Sequence, residues 1–179
     1  RPRLLLAHDA GLGKTYSALL LFGAIWLKEW SEMPGVAKTK FVVSAPAALL
    51  EQWKMAVLDA TKVPASRLLV TNQLAKLTAE AIDAALIIIV SKDTVRRAFQ
   101  TCHERVQQHH QDANGHWRVG WQRNNAPLHP LFAIEWLSCL VVDEVHHFRN
   151  CASTSTQAHG ALSKTAQKVL GMSATPSVG

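Results

Sequence analysis

The chain has 179 residues, enough for one domain that buries about two-thirds of its unfolded surface and needs no disulfide or metal staple. Hydrophobic residues make up 48% and charged residues 18%, which excludes a disordered polymer, and the most apolar run, residues 18–27, is shorter than the roughly 20 residues that span a bilayer. The formal charge of +6 suits a polyanionic partner without requiring one, and Cys102, Cys139 and Cys151 form neither an even framework nor a C-x-x-C pair, so the chain reads as intracellular and reduced.

No signal peptide is visible, and a start at Arg1 rather than Met reads as the edge of a piece of a longer protein. Residues 4–7 are strand-like, and residues 15 to about 30 read as a core helix. A second strand at 41–44 is closed by the breaker Pro46, and a helix follows over 49–59. Short β-rich runs at 68–71 and 86–90 read as buried parallel strands. The pattern then predicts a helix from 92 to about 109, a buried strand at 140–142, a helix near 155–164 and a last strand around 169–172. This alternation predicts an α/β fold with a parallel sheet covered by helices. No internal repeat is visible. The rhythm breaks over 101–130, a polar insertion that carries five of the nine histidines together with Trp117 and Trp121.

Three segments carry chemistry. HDAGLGKT, from His8 to Thr15, lies between the first strand and the first helix, where successive backbone N–H groups can face a polyphosphate at the positive end of a helix dipole. Gly11 and Gly13 supply conformational freedom, Lys14 would reach the β- and γ-phosphates, and the Thr15 hydroxyl would ligate Mg²⁺. The usual pattern opens with glycine where this chain has His8. LVVDEVH, from Leu140 to His146, ends a buried strand in two adjacent carboxylates: Asp143 would hold Mg²⁺ through a water, and Glu144 would orient and deprotonate an attacking water. SATP, from Ser173 to Pro176, offers two hydroxyls, Ser173 and Thr175, near the expected γ-phosphate.

In this order the three segments resemble motifs I, II and III of the superfamily 2 helicases and translocases, and more narrowly the first RecA-like lobe of the Swi/Snf family of DNA-dependent ATPases. Asp9 stands at the glutamate of that family's motif I, and DEVHHFRN keeps His146, Arg149 and Asn150 in register with its motif II. FVVSAPAALLEQWK, from Phe41 to Lys54, is similar to motif Ia, with Pro46, Leu49, Leu50 and Trp53 in place. IIIVSKDTVRR, from Ile87 to Arg97, is similar to motif Ib, with Lys92 replacing the usual tyrosine. Motif III departs from the family, since Ser177, Val178 and Gly179 stand where Gln-Asn commonly continues.

The resemblance implies a three-layer RecA-like P-loop NTPase lobe over residues 1–179, using ATP and Mg²⁺. Lys14, Asp143 and Glu144 would be catalytic. Nucleotide would lie on Asp9, Gly11, Leu12, Gly13, Lys14 and Thr15, with His146, Ser173 and Thr175 coupling the γ-phosphate to lobe closure, and the metal on Thr15 and Asp143. Double-stranded DNA would be met at its phosphates by the loops at 45–47 and 91–94, with Lys92, Arg96 and Arg97 either on phosphate or on a solvated helix face. A second RecA-like lobe would supply arginines to the γ-phosphate, and because such an arginine is worth about 10³–10⁵ in rate, the piece alone is expected to hydrolyse ATP weakly or not at all. The family's chromatin-remodelling members imply the nucleus for a eukaryotic source. A DExH-type RNA helicase lobe and a binding platform without turnover are the alternatives. Cys102, His103, His109, His110 and His116 supply zinc-ligand types at a spacing that fits no finger or ribbon.

Overall fold

The computed structural model describes residues 2–7, 13–32, 39–111, 117–148, 150 and 152–174, of which 107–111, 117–119 and 147 are described by backbone alone. The elements run β1 (Arg3–Ala7), α1 (Lys14–Glu32), β2 (Lys40–Ala45), α2 (Leu50–Ala60), β3 (Leu68–Thr71), α3 (Ala79–Ala84), β4 (Ile87–Ser91), α4 (Lys92–Cys102), β5 (His103–Gln111), β6 (Trp117–Arg123), β7 (Leu137–Val142), α5 (Thr154–Thr165) and β8 (Ala166–Ser173). Six strands form one sheet in the order β1-β8-β7-β2-β4-β3, and every neighbouring pair is parallel. Parallel neighbours need crossovers, so the helices fall on both faces and the central strands are buried and largely apolar. This is the α/β, RecA-like architecture expected from the sequence.

Strand alternation sorts the core into two layers. Phe41, Val43, Ile87, Ile89, Cys139 and Val141 face α1 and α2, meeting Phe22, Ile25, Trp53 and Val57. Val42, Ile88, Val90, Leu140 and Val142 face the opposite way, onto Ile82, Val95, Phe99 and Leu162 from α3, α4 and α5. Each fully buried aliphatic or aromatic side chain here contributes roughly 1.5–3 kcal/mol. Helix α1 buries only one face, through Ala18, Leu19, Phe22 and Ile25, and leaves Leu20, Trp26, Leu27 and Trp30 exposed. Strands β1 and β3 are the two sheet edges among the described residues, and on β1 Leu4 and Leu5 are exposed. No helix among the described residues is long and apolar enough to cross a membrane.

The helix expected over 92–109 stops at Cys102, and His103–Gln111 pairs antiparallel with Trp117–Arg123 as a separate hairpin. The reason is visible in α4. Its buried stripe of Thr94, Val95, Ala98, Phe99 and Cys102 ends there, and nothing in the polar stretch beyond could continue a core-facing face. Strand geometry instead brings Trp121 opposite Arg105 and edge-on to the Phe99 ring at 5.4 Å, while His103 stacks on Phe99 at 3.9 Å. Trp121 therefore pins the insertion to the core. The short α3, capped by the Thr78 hydroxyl accepting the Ala81 N–H at 3.2 Å, escaped sequence reading because it buries a single residue, Ile82.

One buried polar pair fastens the sheet to α5. His159 Nδ1 lies 2.7 Å from the Ser155 carbonyl, which can only accept, so Nδ1 carries the proton and Nε2 accepts from the Ser44 hydroxyl at 2.7 Å. Burial, aided by the nearby Lys92 charge, pushes the imidazole pKa down to about 4, and the Ser155 hydrogen bond opposes this. A histidine whose folded pKa lies below its unfolded value binds more protons when unfolded, so stability falls as pH drops from about 6.5 through about 4. We expect this group to cost about 3 kcal/mol once protonated. Urea unfolding at pH 7 and pH 4.5 should show the loss, and His159→Gln should remove most of the difference; equal slopes in the two proteins would refute the assignment.

Candidate functional site

All six parallel strands end on one edge of the sheet, where open α/β sheets place their ligands. At that edge Gly13 sits at φ +73°, a left-handed conformation that glycine adopts without strain, and its carbonyl accepts the Ser17 N–H at 3.0 Å. Lys14 then opens α1. The first-turn N–H groups of a helix lack intrahelical partners, and α1 carries no acidic residue in its first turn, so its positive end faces outward uncompensated by its own side chains.

The acidic pair lies across from it. A cleft of about 510 Å³ is lined on one side by Gly13, Lys14 and Thr15 and on the other by Asp143, Glu144 and Ala174, with α2 residues such as Gln52 and Asp59 along its wall. Asp143 closes β7, where its N–H donates to the Ser44 carbonyl at 2.9 Å. Its carboxylate is buried and held by two N–H donors: the Trp53 indole to Oδ2 at 2.9 Å and the Glu144 main chain to Oδ1 at 2.9 Å. Burying a charge is costly unless such donors meet it.

Glu144 has φ +50°, the one positive φ among the described non-glycine residues. Its Oε2 is buried and accepts no aligned hydrogen bond, although His146 Nδ1 lies 3.0 Å away. The same nitrogen is 3.2 Å from the Ser173 hydroxyl, so the second and third motifs meet through His146. The turn that carries them lies flat on β8 at Gly171, where an added Cβ would come within 3.1 Å of Val145. A hydroxyl at Thr15, a buried carboxylate at Asp143 and an under-satisfied carboxylate oxygen at Glu144 form a donor set that fits a hydrated, oxygen-seeking divalent cation.

The sequence reading thus gains company for Gly13, Lys14, Thr15, Asp143, Glu144, His146 and Ser173, which gather at one edge. Asp9, Gly11, Leu12 and Thr175, with His8, Arg149, Cys151, His116 and Pro176–Gly179, lie outside the described residues. Lys92 is a correction: its ammonium does not reach outward to a phosphate but turns inward, donating to the Glu144 carbonyl at 2.7 Å and lying 4.9 Å from the centre of the Phe148 ring. Burial pushes its pKa down to about 8 against the pull of Asp143 and Glu144. Arg96 and Arg97 point outward, paired with Asp93, and Arg97 also donates to the Asn72 carbonyl at 2.8 Å. Of the zinc-ligand types, Cys102 is buried and His103 Nδ1 lies 3.1 Å from the Phe99 carbonyl; no group of three or more His, Cys, Asp or Glu side chains that could hold a metal occurs among the described residues. The sequence reading assigned no role to Trp53. Its place in the motif Ia pattern was legible, but its partner, 90 positions away, was not.

The family profile described as type III restriction enzyme, res subunit (ResIII) matches residues 1–178. No curated protein matches the chain. Among solved structures, the chain is similar to the Sulfolobus solfataricus SWI2/SNF2 ATPase core in complex with dsDNA, at 17% identity and TM-score 0.58, over 97% of this chain and 28% of that one. It is also similar to the Pyrococcus furiosus Hef helicase domain, at 17% identity and TM-score 0.62, over 99% of this chain and 30% of that one. At this identity both are likenesses of fold, and the chain spans less than a third of either protein.

Removing the Trp53 donor leaves a buried carboxylate oxygen short of a partner, which costs about 1–3 kcal/mol. Trp53→Phe, which keeps most of the buried ring, is therefore expected to lower the unfolding free energy by that amount, read as a lower urea midpoint with the m-value unchanged. A variant as stable as the parent would mean that the indole N–H is not what holds Asp143.

Proposed function

The chain belongs to the type III restriction enzyme res-subunit (ResIII) family and is a superfamily 2 helicase-type RecA-like lobe, and from that premise we propose that it binds Mg-ATP in the cleft between Lys14 and Asp143. The observation that carries this reading is the shared cavity that brings Gly13, Lys14 and Thr15 to Asp143 and Glu144. On this reading the glycine turn, with Asp9, Gly11 and Leu12 beside Gly13, grips the polyphosphate, and Lys14 places its charge on the β- and γ-phosphates. Thr15 and Asp143 would hold the metal, which would supply charge neutralisation at the phosphates when bound. Glu144, whose Oε2 has spare acceptor capacity, orients the attacking water and takes its proton. His146 and Ser173, already within hydrogen-bonding distance, relay the presence of the γ-phosphate to the lobe surface together with Thr175.

The whole protein would be an ATP-driven motor of the Swi/Snf type that moves along duplex DNA, with residues 1–179 as its first lobe and a second lobe supplying the arginines that complete the site. The likeness to an ATPase core solved with dsDNA supports this choice over RNA. Arg96, half-buried, and Arg97, exposed, on α4, together with the loop at 45–47, are the surfaces for phosphate contact, so binding should be strongly salt-dependent and nearly indifferent to base sequence.

We expect the full protein to be an ATPase stimulated by double-stranded DNA, and Lys14→Ala to abolish turnover. Equal stimulation by single-stranded RNA would favour a DExH-type helicase, whereas absence of turnover with nucleic acid bound would favour a platform. For the 179-residue chain itself, fluorescent ATP analogue binding that depends on Mg²⁺ and is lost in Lys14→Ala is the direct check of the cleft.

A further inference from the structure

Lys92 is the first residue of α4, and the base from which it reaches is rigid. The Ser91 hydroxyl accepts the Thr94 N–H at 3.1 Å, and the Thr94 hydroxyl donates to the Asn72 carbonyl at 2.8 Å, which locks the start of the helix to the end of β3. From there the side chain crosses 52 positions of sequence to the DEVHHF turn, where it touches two members of the same segment, the Glu144 carbonyl and the Phe148 ring.

What it holds there is a strained residue. A left-handed backbone is strained for a non-glycine residue and persists only where the surroundings over-determine it. At Glu144 both flanking peptides are gripped. The N–H donates to the Asp143 carboxylate at 2.9 Å, and the C=O accepts from the Lys92 ammonium at 2.7 Å. The first contact fixes one side of φ and the second fixes ψ. Without the second, the following peptide is free to rotate, and with it the direction in which the Glu144 carboxylate enters the cleft. A half-buried ammonium on a carbonyl, desolvated against an aromatic face, makes a strong contact for a single side chain.

We propose that Lys92 is a positioning residue for hydrolysis: by holding the Glu144 carbonyl it fixes the left-handed turn that aims the Glu144 carboxylate at the Lys14–Thr15 cleft, and it ties that aim to α4. This rests on the reading of the cleft as an ATP site.

The clamp and its consequence are tested separately. In the 179-residue chain, Lys92→Met keeps the aliphatic stem and removes the donor; the Glu144 amide is expected to exchange with solvent about 10-fold faster or more, with Lys92→Arg restoring protection. Unchanged Glu144 exchange in Lys92→Met overturns the clamp, and neighbouring core amides such as that of Val141 serve as the internal control for global unfolding. In the full ATPase, Lys92→Met is expected to lower kcat about 10-fold or more while KM for ATP stays within about twofold, because the residue aims a transition-state group rather than the nucleotide. A loss confined to KM, or an unaltered kcat, overturns the positioning role. Failure of the underlying reading has a different signature, nucleotide binding in the 179-residue chain that is unaffected by Lys14→Ala, and the exchange experiment judges the clamp whichever way that falls.

Discussion

A carboxylate buried at the end of β7 is the constraint around which this lobe is organised. Asp143 is almost fully out of water, and a carboxylate is tolerated there because an N–H donor meets each of its oxygens. One donor, the Glu144 N–H, is local and obliges the chain to turn sharply into a left-handed residue. The other, the Trp53 indole, comes from α2 on the far side of a crossover, so the carboxylate is satisfied only when α2 is docked on the sheet. The charge and the packing layer therefore stabilise one another.

The sheet makes that possible by being parallel and buried on both faces. In register, Ser44 lies beside Val142, and Asp143 continues the pairing by donating its N–H to the Ser44 carbonyl, so the acidic pair emerges at the sheet edge at a fixed height. Gly171 on β8 leaves room for Val145 to lie flat against the sheet, which brings His146 within reach of Ser173. Larger side chains at that point would lift the turn away from the edge. Ser44 also anchors His159, which means that a single short hydroxyl on β2 joins α5 to the strand that the Asp143 peptide leans on.

Helix α4 divides its work by face. Its buried stripe packs on the sheet, its arginines are paired with Asp93 and directed outward, and its first residue reaches back into the acidic turn. The hairpin that follows is attached through Phe99, whose ring meets His103 and Trp121. A polar insertion with little apolar surface of its own thus gains its order from one aromatic anchor in the core rather than from its own sequence pattern.

The strand and helix alternation was legible because doubly buried strands must be continuously apolar and because Pro46 and the glycine turn punctuate them. The glycine-lysine-threonine run and the Asp-Glu pair stand out for a similarly local reason, since each is a short run of adjacent side chains, and the fold brings the two to one cleft. The extent of α4 was not, because helix and hairpin compete over a polar stretch whose arbiter, Trp121, lies outside it. Nor were the partners of Trp53, Lys92 and Ser44, which sit 90, 52 and 115 positions away from the residues they name. What the sequence determined by itself is the set of chemical groups and the order of the elements that carry them. Which group holds which was decided by the tertiary structure, because the crossovers of a parallel sheet bring together residues that no local pattern relates.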